Sequence, residues 1–117
     1  MDFTLTEEQH AIVENVEALC ARFNDGYWRE KEQTGDFPFD FHSAMAEAGW
    51  LGITMPEEFG GAGLGVVEAA LMMHTVAKSS GGMSAASAIH INIFGPHPIV
   101  VFGNEDQKNR WLPPLLK

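Results

Sequence analysis

Residues 55–65, MPEEFGGAGLG, are the first stretch of this sequence whose residue types and spacing could do chemistry. Four glycines stand in its last six positions, and glycine clusters ahead of a helix can bind phosphate through free backbone N–H groups. The spacing does not complete G-x-G-x-x-G, because Val66 and Glu68 occupy the positions of the third glycine, and no Gly-Lys-Ser/Thr follows. No convincing strand precedes the glycines, as a dinucleotide fold requires. The pattern therefore favours a tight connector between two helices, with phosphate binding as the alternative.

Histidine is the next residue type that could bind a metal or move a proton. The five histidines are His10, His42, His74, His90 and His97. No two are spaced i,i+4 like the zinc ligands of a helix, and no H-E-x-x-H is present, so we predict no metal site. His90 stands out because apolar residues flank it on both sides. This pattern favours a hydrogen-bonded core histidine, with a ligand-lining role as the alternative.

The remaining reactive side chains predict no catalytic residue. The carboxylates occur in pairs, two of which fall in predicted first turns, where the helix dipole stabilises negative charge. Cys20 is the only cysteine, so an intrachain disulfide is excluded, and its place on an apolar face predicts a buried thiol. No Ser-His-Asp arrangement can be derived from the linear spacing.

Composition limits the class of protein and its partners. The 117 residues fit one domain, and the formal net charge of −9 argues against a general nucleic-acid partner. The first residues, MDFTLTEEQ, lack the basic and apolar blocks of a signal peptide. No uninterrupted apolar run approaches the roughly 20 residues that span a bilayer. We therefore expect a cytoplasmic protein with no membrane partner.

Helical periodicity dominates the first half of the chain. Thr6 and Gln9 have the spacing of a capping box, and apolar residues recur at three- and four-residue steps behind them as far as Phe23, with residues 24–26 as the expected end. Residues 27–36 are polar and predict a short solvated helix or a connector. A second helix follows to residue 48, and Gly49 is its expected left-handed cap.

The second half of the chain continues the helical pattern. Residues 66–78 are apolar almost all round, which suggests burial on more than one side. The candidate apolar faces are Val67, Ala70, Leu71, His74 and Ala77 or, alternatively, Val66, Ala70, Met73 and Ala77. Residues 83–94 form another apolar helix. Residues 98–102 cannot be assigned by periodicity. Asn104 and Gln107 begin the last helix. Because no strand pattern appears, we predict an all-α fold, an orthogonal or irregular bundle of about five to six helices.

Several motifs, in this order, resemble the N-terminal helical domain of acyl-CoA dehydrogenases. They are LTEEQ at 5–9, AGWLGI at 48–53, MPEEFGGAG at 55–63, FGNEDQK at 102–108 and WLPPL at 111–115. The resemblance covers essentially the whole chain. It implies that residues 1–117 are one N-terminal domain of a larger α+β flavoenzyme, whose middle β domain and C-terminal helical bundle are absent from this chain.

The resemblance also implies an activity for the parent enzyme. Such enzymes bind FAD, form homo-oligomers, α,β-desaturate an acyl-CoA thioester and pass the electrons to an electron-transfer flavoprotein. The family's catalytic glutamate and most FAD contacts lie in the two later domains. We therefore assign no catalytic or FAD-binding residue here, and we expect the isolated chain to be inactive.

The resemblance further implies that this chain forms one wall of the acyl pocket. The helix at residues 83–94 matches the family segment that closes the far end of the pocket. The candidate substrate-binding residues are Ser87, Ala88, His90, Ile91 and Phe94. They hint at a short, branched or functionalised acyl chain. The alternatives are an acyl-CoA oxidase or a flavin-dependent monooxygenase of the same superfamily, or a stand-alone helical protein-interaction module.

Overall fold

The computed structural model describes all residues 1–117 and contains helices and turns but no strand. The seven α-helices, in chain order, are α1 (Glu7–Cys20), α2 (Asp25–Thr34), α3 (Phe39–Glu47), α4 (Val66–Lys78), α5 (Gly82–Phe94), α6 (His97–Phe102) and α7 (Glu105–Trp111). Three short 3₁₀ turns, Trp50–Gly52, Glu57–Phe59 and Pro113–Leu116, complete the chain. The all-α fold is confirmed. The helix count exceeds the expected five to six because the segment that periodicity left unassigned is helical.

The first helix starts where the sequence predicts and ends earlier. The Thr6 hydroxyl accepts from the Gln9 backbone N–H at 3.2 Å, and the Gln9 side chain accepts from the Thr6 N–H at 3.1 Å. An N-cap of this kind contributes about 1 kcal/mol. The expected end at residues 24–26 is wrong, because α1 stops at Cys20 and Asn24 instead caps α2 through the Tyr27 N–H. Residues 27–36 therefore lie mostly within a helix.

The larger core is built where α1, α3, α4 and α5 meet. It contains 18 buried residues, among them Val16, Phe41, Met45 and Ile89, and each fully buried side chain of this size stabilises the fold by about 1.5–3 kcal/mol. Helix α4 packs between α1 and α5. This arrangement explains why its sequence is apolar on several sides.

The predicted apolar face of α4 is wrong. The buried side chains are Ala69, Met72, Thr75 and Val76, which form neither predicted face. Val66 and Val67 are 72% and 55% exposed, and His74 is also exposed. An all-round apolar helix offers several faces, and close packing against α1 and α5 selects the one with a small alanine.

The predicted end of the helix before Gly49 is confirmed, because Gly49 adopts the left-handed conformation, with φ of 84°.

A second, smaller core holds the C-terminal third of the chain. Met55, Phe59 and Leu112 are buried there, and side chains of α6 and of the last 3₁₀ turn pack around them. Helix α6 tolerates Pro98 because a proline in the first turn has no intrahelical N–H bond to lose.

Residues Gly82–Phe102, which contain α5 and α6, are long and apolar enough to cross a membrane by length and composition. The expectation that no segment reaches this length is wrong by that criterion. Ala85, Ala86, Ile89 and Ile93 of the same segment lie in the larger core, and buried core helices of globular proteins have the same length and apolar composition. The absence of a membrane partner stays a prediction.

Candidate functional site

Four of the five candidate pocket residues lie together on the outer face of α5. Ser87, His90, Ile91 and Phe94 are exposed, and they follow the i, i+3, i+4, i+7 spacing of one helical stripe. Ile91 is 67% exposed and Phe94 is 45% exposed. Ala88 does not belong to this stripe, because it is half-buried and packs against the larger core. We call Ser87, His90, Ile91 and Phe94 the outer face of α5.

His90 is not a core histidine, and that interpretation of the sequence is wrong. Its ring is exposed, and Nδ1 lies 3.0 Å from the Ser87 carbonyl one turn earlier. Since a carbonyl oxygen only accepts, Nδ1 carries the proton of this bond. The neighbouring Ile89 is buried because successive helix positions point about 100° apart. The ring therefore stands among apolar side chains on the outer face with Nε2 free of intrachain bonds.

Exposed apolar side chains extend beyond the candidate residues, and the sequence did not single them out. Phe102 is 85% exposed at the end of α6, and Trp111 is 52% exposed at the end of α7. Together with Pro98 and Gln107 they line an open groove of about 370 Å³ between these two helices. A set of large exposed apolar groups on one domain marks a surface that contacts a ligand or another protein surface.

The glycine-rich part of the connector, residues 60–65, has no backbone donor free for a phosphate. Every N–H from Gly60 to Leu64 donates to a backbone carbonyl of residues 52–57, at 2.9–3.2 Å. The Gly65 N–H donates to the Glu68 carboxylate at 3.1 Å. Gly60 and Gly63 have φ of 96° and 65°, which only glycine adopts readily. The predicted tight connector is confirmed, and its donors are already in use.

The connector and the 3₁₀ turn before it, Trp50–Gly52, provide the surface on which the end of the chain packs. A Cβ on Gly52 would meet Leu116 at 2.7 Å, and one on Gly60 would meet the same side chain at 3.1 Å. The missing side chains thus leave the space that Leu116 fills. The glycines both turn the chain and accommodate its last 3₁₀ turn.

The ionisable groups do not form a catalytic or metal-binding set. No group of three or more His, Cys, Asp or Glu side chains could hold a metal ion. Burial raises the pKa of the Cys20 thiol, as expected for an unreactive core cysteine. A hydrogen bond from Gln9, followed by one from a backbone N–H, lowers the pKa of Glu68. Both shifts have structural causes.

The glycines of the connector do not supply a pyrophosphate site for FAD. A dinucleotide needs backbone or cationic donors for its pyrophosphate, and the N–H groups of residues 60–65 already donate within the chain. These glycines therefore turn the chain rather than hold a flavin.

Comparison with families of known proteins identifies the fold. A family model described as "Acyl-CoA dehydrogenase, N-terminal domain" matches residues 6–117. The chain is 37% identical over 117 residues to the probable acyl-CoA dehydrogenase YngJ of Bacillus subtilis, with 98% of this chain and 30% of that protein covered. It is 32% identical over 117 residues to the acryloyl-CoA reductase (NADH) of Anaerotignum propionicum, with 100% of this chain and 29% of that protein covered.

The similarity extends to a solved structure. A chain from a structural study of the electron transferring flavoprotein of Acidaminococcus fermentans and flavin-based electron bifurcation superposes with a TM-score of 0.85 and 30% sequence identity. The match covers 99% of this chain and 30% of that one. The chain thus spans about 30% of the length of the relatives it matches.

Proposed function

Because the chain belongs to the acyl-CoA dehydrogenase family as its N-terminal domain, we propose that it forms part of the acyl pocket of an FAD-dependent acyl-CoA dehydrogenase. The observation that carries this proposal is the outer face of α5. Ile91 and Phe94 are exposed there, on the same stripe as Ser87 and His90. A helix as apolar as α5 normally buries large apolar side chains of this kind. An acyl chain is a ligand that would cover them.

The relatives support an acyl-CoA thioester as the substrate class. The names of the probable dehydrogenase and of the reductase both specify acyl-CoA chemistry, and so does that of the bovine mitochondrial isovaleryl-CoA dehydrogenase, 32% identical over 114 residues, with 96% of this chain and 26% of that protein covered. We propose α,β-desaturation as the reaction of the parent protein. The reductase is the reason to measure the reverse direction too.

The partners follow from the same proposal. The parent would bind FAD mainly through residues outside this chain, assemble as a homo-oligomer and pass electrons to an electron-transfer flavoprotein. The structural neighbour from a study of an electron transferring flavoprotein supports a flavoprotein relation. The cytoplasmic location stays a prediction, tested by fractionation of cells that express the tagged full-length protein.

The decisive experiment compares the full-length protein that carries this chain with the 117-residue chain alone. The full-length protein should show flavin absorbance that bleaches when a short, branched or long acyl-CoA is added under anaerobic conditions. The isolated chain should be colourless and inactive in a dye-reduction assay. A full-length protein whose flavin no acyl-CoA bleaches, and no enoyl-CoA reoxidises, would overturn the proposal.

Oxygen consumption distinguishes the alternatives within the superfamily. An oxidase or monooxygenase would consume oxygen during acyl-CoA turnover, whereas a dehydrogenase would need an electron-transfer flavoprotein or a dye. A stand-alone interaction module would contain no flavin in any form and would not respond to acyl-CoA.

A further inference from the structure

Asn92 joins three separate parts of the fold through one side chain. It follows Ile91 directly on α5, but successive helix positions diverge by about 100°. Ile91 therefore faces outward while Asn92 is half-buried. The Asn92 amide points into the junction of α3, α5 and the last 3₁₀ turn, Pro113–Leu116.

The hydrogen bonds at this junction fix the amide orientation. The Asn92 Nδ2 donates to the Leu115 carbonyl at 3.2 Å, and a carbonyl oxygen can only accept. Asn92 Oδ1 consequently faces His42 of α3, whose Nε2 lies 3.4 Å away and must be the donor. One amide thus receives a bond from α3 and gives a bond to the C-terminal turn.

This is the only side-chain hydrogen bond that ties the C-terminal turn to a helix of the larger core. The turn is otherwise held by the Leu115 N–H bond to the Leu112 carbonyl and by apolar packing. Leu116 lies on Gly52 and Gly60, and Leu115 and Leu116 both pack against the smaller core. On the side of Asn92 that faces Leu51 and the start of α6, the gap is only about 10 Å³, which is at most the space of one water molecule. Helix α5 therefore cannot shift along its axis without breaking these bonds or repacking the junction.

We propose that Asn92 is a positioning residue that fixes the placement of the outer face of α5 and thereby sets the acyl-chain preference of the enzyme; this inference rests on the proposed function. Asn92 does not touch the substrate. It acts through Ile91 and Phe94, because a shift of α5 would change the distance between these side chains and the thioester end of the bound acyl chain.

The test uses the full-length protein and four variants, Asn92→Ala, His42→Ala, His42→Gln and Asn15→Ala. Asn15 is the matched control, because its amide bonds only the Ala11 carbonyl within α1. The readout is the ratio of kcat/KM for a long and a short straight-chain acyl-CoA. Hydrogen exchange of residues 112–117 is measured in parallel as the structural readout.

Asn92→Ala should change the ratio about fivefold or more, since misplacement by about 1 Å can cost up to ~10²-fold in rate. His42→Ala should change the ratio less, and His42→Gln should restore it, because a glutamine amide can still donate to Asn92 Oδ1. Asn15→Ala should leave the ratio unchanged.

A faster exchange of residues 112–117 in Asn92→Ala with an unchanged ratio would overturn the inference and leave the proposed function standing. If Asn92→Ala does not fold, the two His42 variants decide, and an unchanged ratio in His42→Ala overturns the inference. A wild-type protein that turns over no acyl-CoA would overturn both.

Discussion

The Gln9 amide donates to the Glu68 carboxylate at 2.9 Å and links the first turns of α1 and α4, which lie 59 residues apart in the chain. Each side chain also satisfies its own helix start. Gln9 accepts from the Thr6 N–H, and Glu68 accepts from the Gly65 N–H. Two local capping interactions are thereby joined into one tertiary contact between the helices that pack at the centre of the fold.

Glu68→Ala should lower the free energy of unfolding by about 1 kcal/mol, since it removes a cap of the α4 start and the link to α1. Urea unfolding of the purified chain measures the loss. Glu58→Ala is the control, because Glu58 is exposed and its side chain makes no hydrogen bond, and its effect should stay within ~0.5 kcal/mol. Equal losses in the two variants would contradict the assigned role of Glu68.

The stabilisation by Glu68 should depend on pH. The folded-state pKa of Glu68 lies below its ordinary value, so the contribution is complete above the unfolded pKa of about 4.3 and is lost as the pH falls through the folded pKa. The stability difference between wild type and Glu68→Gln should be constant near neutral pH and should shrink in acid. Unfolding curves at several pH values measure it, and a difference that grows on acidification would refute the assignment.

Gly61→Ala should be severely destabilising. A Cβ at this position would lie 2.0 Å from the Met55 carbonyl oxygen and 2.5 Å from its Cβ, so the backbone of the connector must move, at a cost of about 3 kcal/mol or more. Gly35→Ala is the control, because Gly35, unlike Gly61, is left-handed, with φ of 74°, but an added Cβ would meet nothing within 4 Å. This substitution should lower the free energy of unfolding by only about 1–2 kcal/mol. Thermal unfolding ranks the two. Equal midpoints would show that the connector is looser than the structure indicates.

His90→Ala should separate stability from specificity. Because the ring is exposed and makes a hydrogen bond only within its own helix turn, the free energy of unfolding of the chain should change by no more than ~0.5 kcal/mol. In the full-length protein the same change should alter the acyl-CoA chain-length profile. His74→Ala, at an exposed position on α4, is the control for both measurements. An unaltered profile would remove His90 from the proposed pocket.

The isolated chain should self-associate through its exposed apolar groups. The double change Ile91→Ser and Phe102→Ser removes two of them, which are 67% and 85% exposed, and should shift the chain toward monomer. Sedimentation equilibrium over a range of concentrations measures this. Arg29→Ser on the solvated helix α2 should have no effect. A wild-type chain that stays monomeric throughout would favour the stand-alone interaction module.

Local signals made the helix starts predictable from the sequence. The capping boxes at Thr6 and Asn104 involve residues three positions apart, and both are present in the structure. The Gln9–Glu68 link was not predictable, because it requires knowing that α1 and α4 pack together. The prediction of the buried face of α4 failed for the same reason. Its surface is almost uniformly apolar, and only packing against neighbouring helices determines that Ala69 and Met72 are buried.

The candidate site was likewise only partly predictable from the sequence. The outer face of α5 was identified through a family resemblance, and helical spacing explains why four of the five candidate pocket residues lie together. Local composition misplaced His90, since Ile89, next to it in the chain, points into the larger core while His90 points outward. The bonds of Asn92 to His42 and Leu115 span 50 and 23 residues, and no short pattern encodes them.

The division into two cores has a consequence for the order of events during synthesis. All 18 residues of the larger core precede α6, because its last member is Ile93. The smaller core needs Leu112 to cover Met55 and Phe59. On the ribosome the larger core can therefore close while the final helices are still being made. Until Leu112 and Leu116 are in place, Gly60 of the connector and the side chains of Met55 and Phe59 lack the groups that cover them in the folded chain.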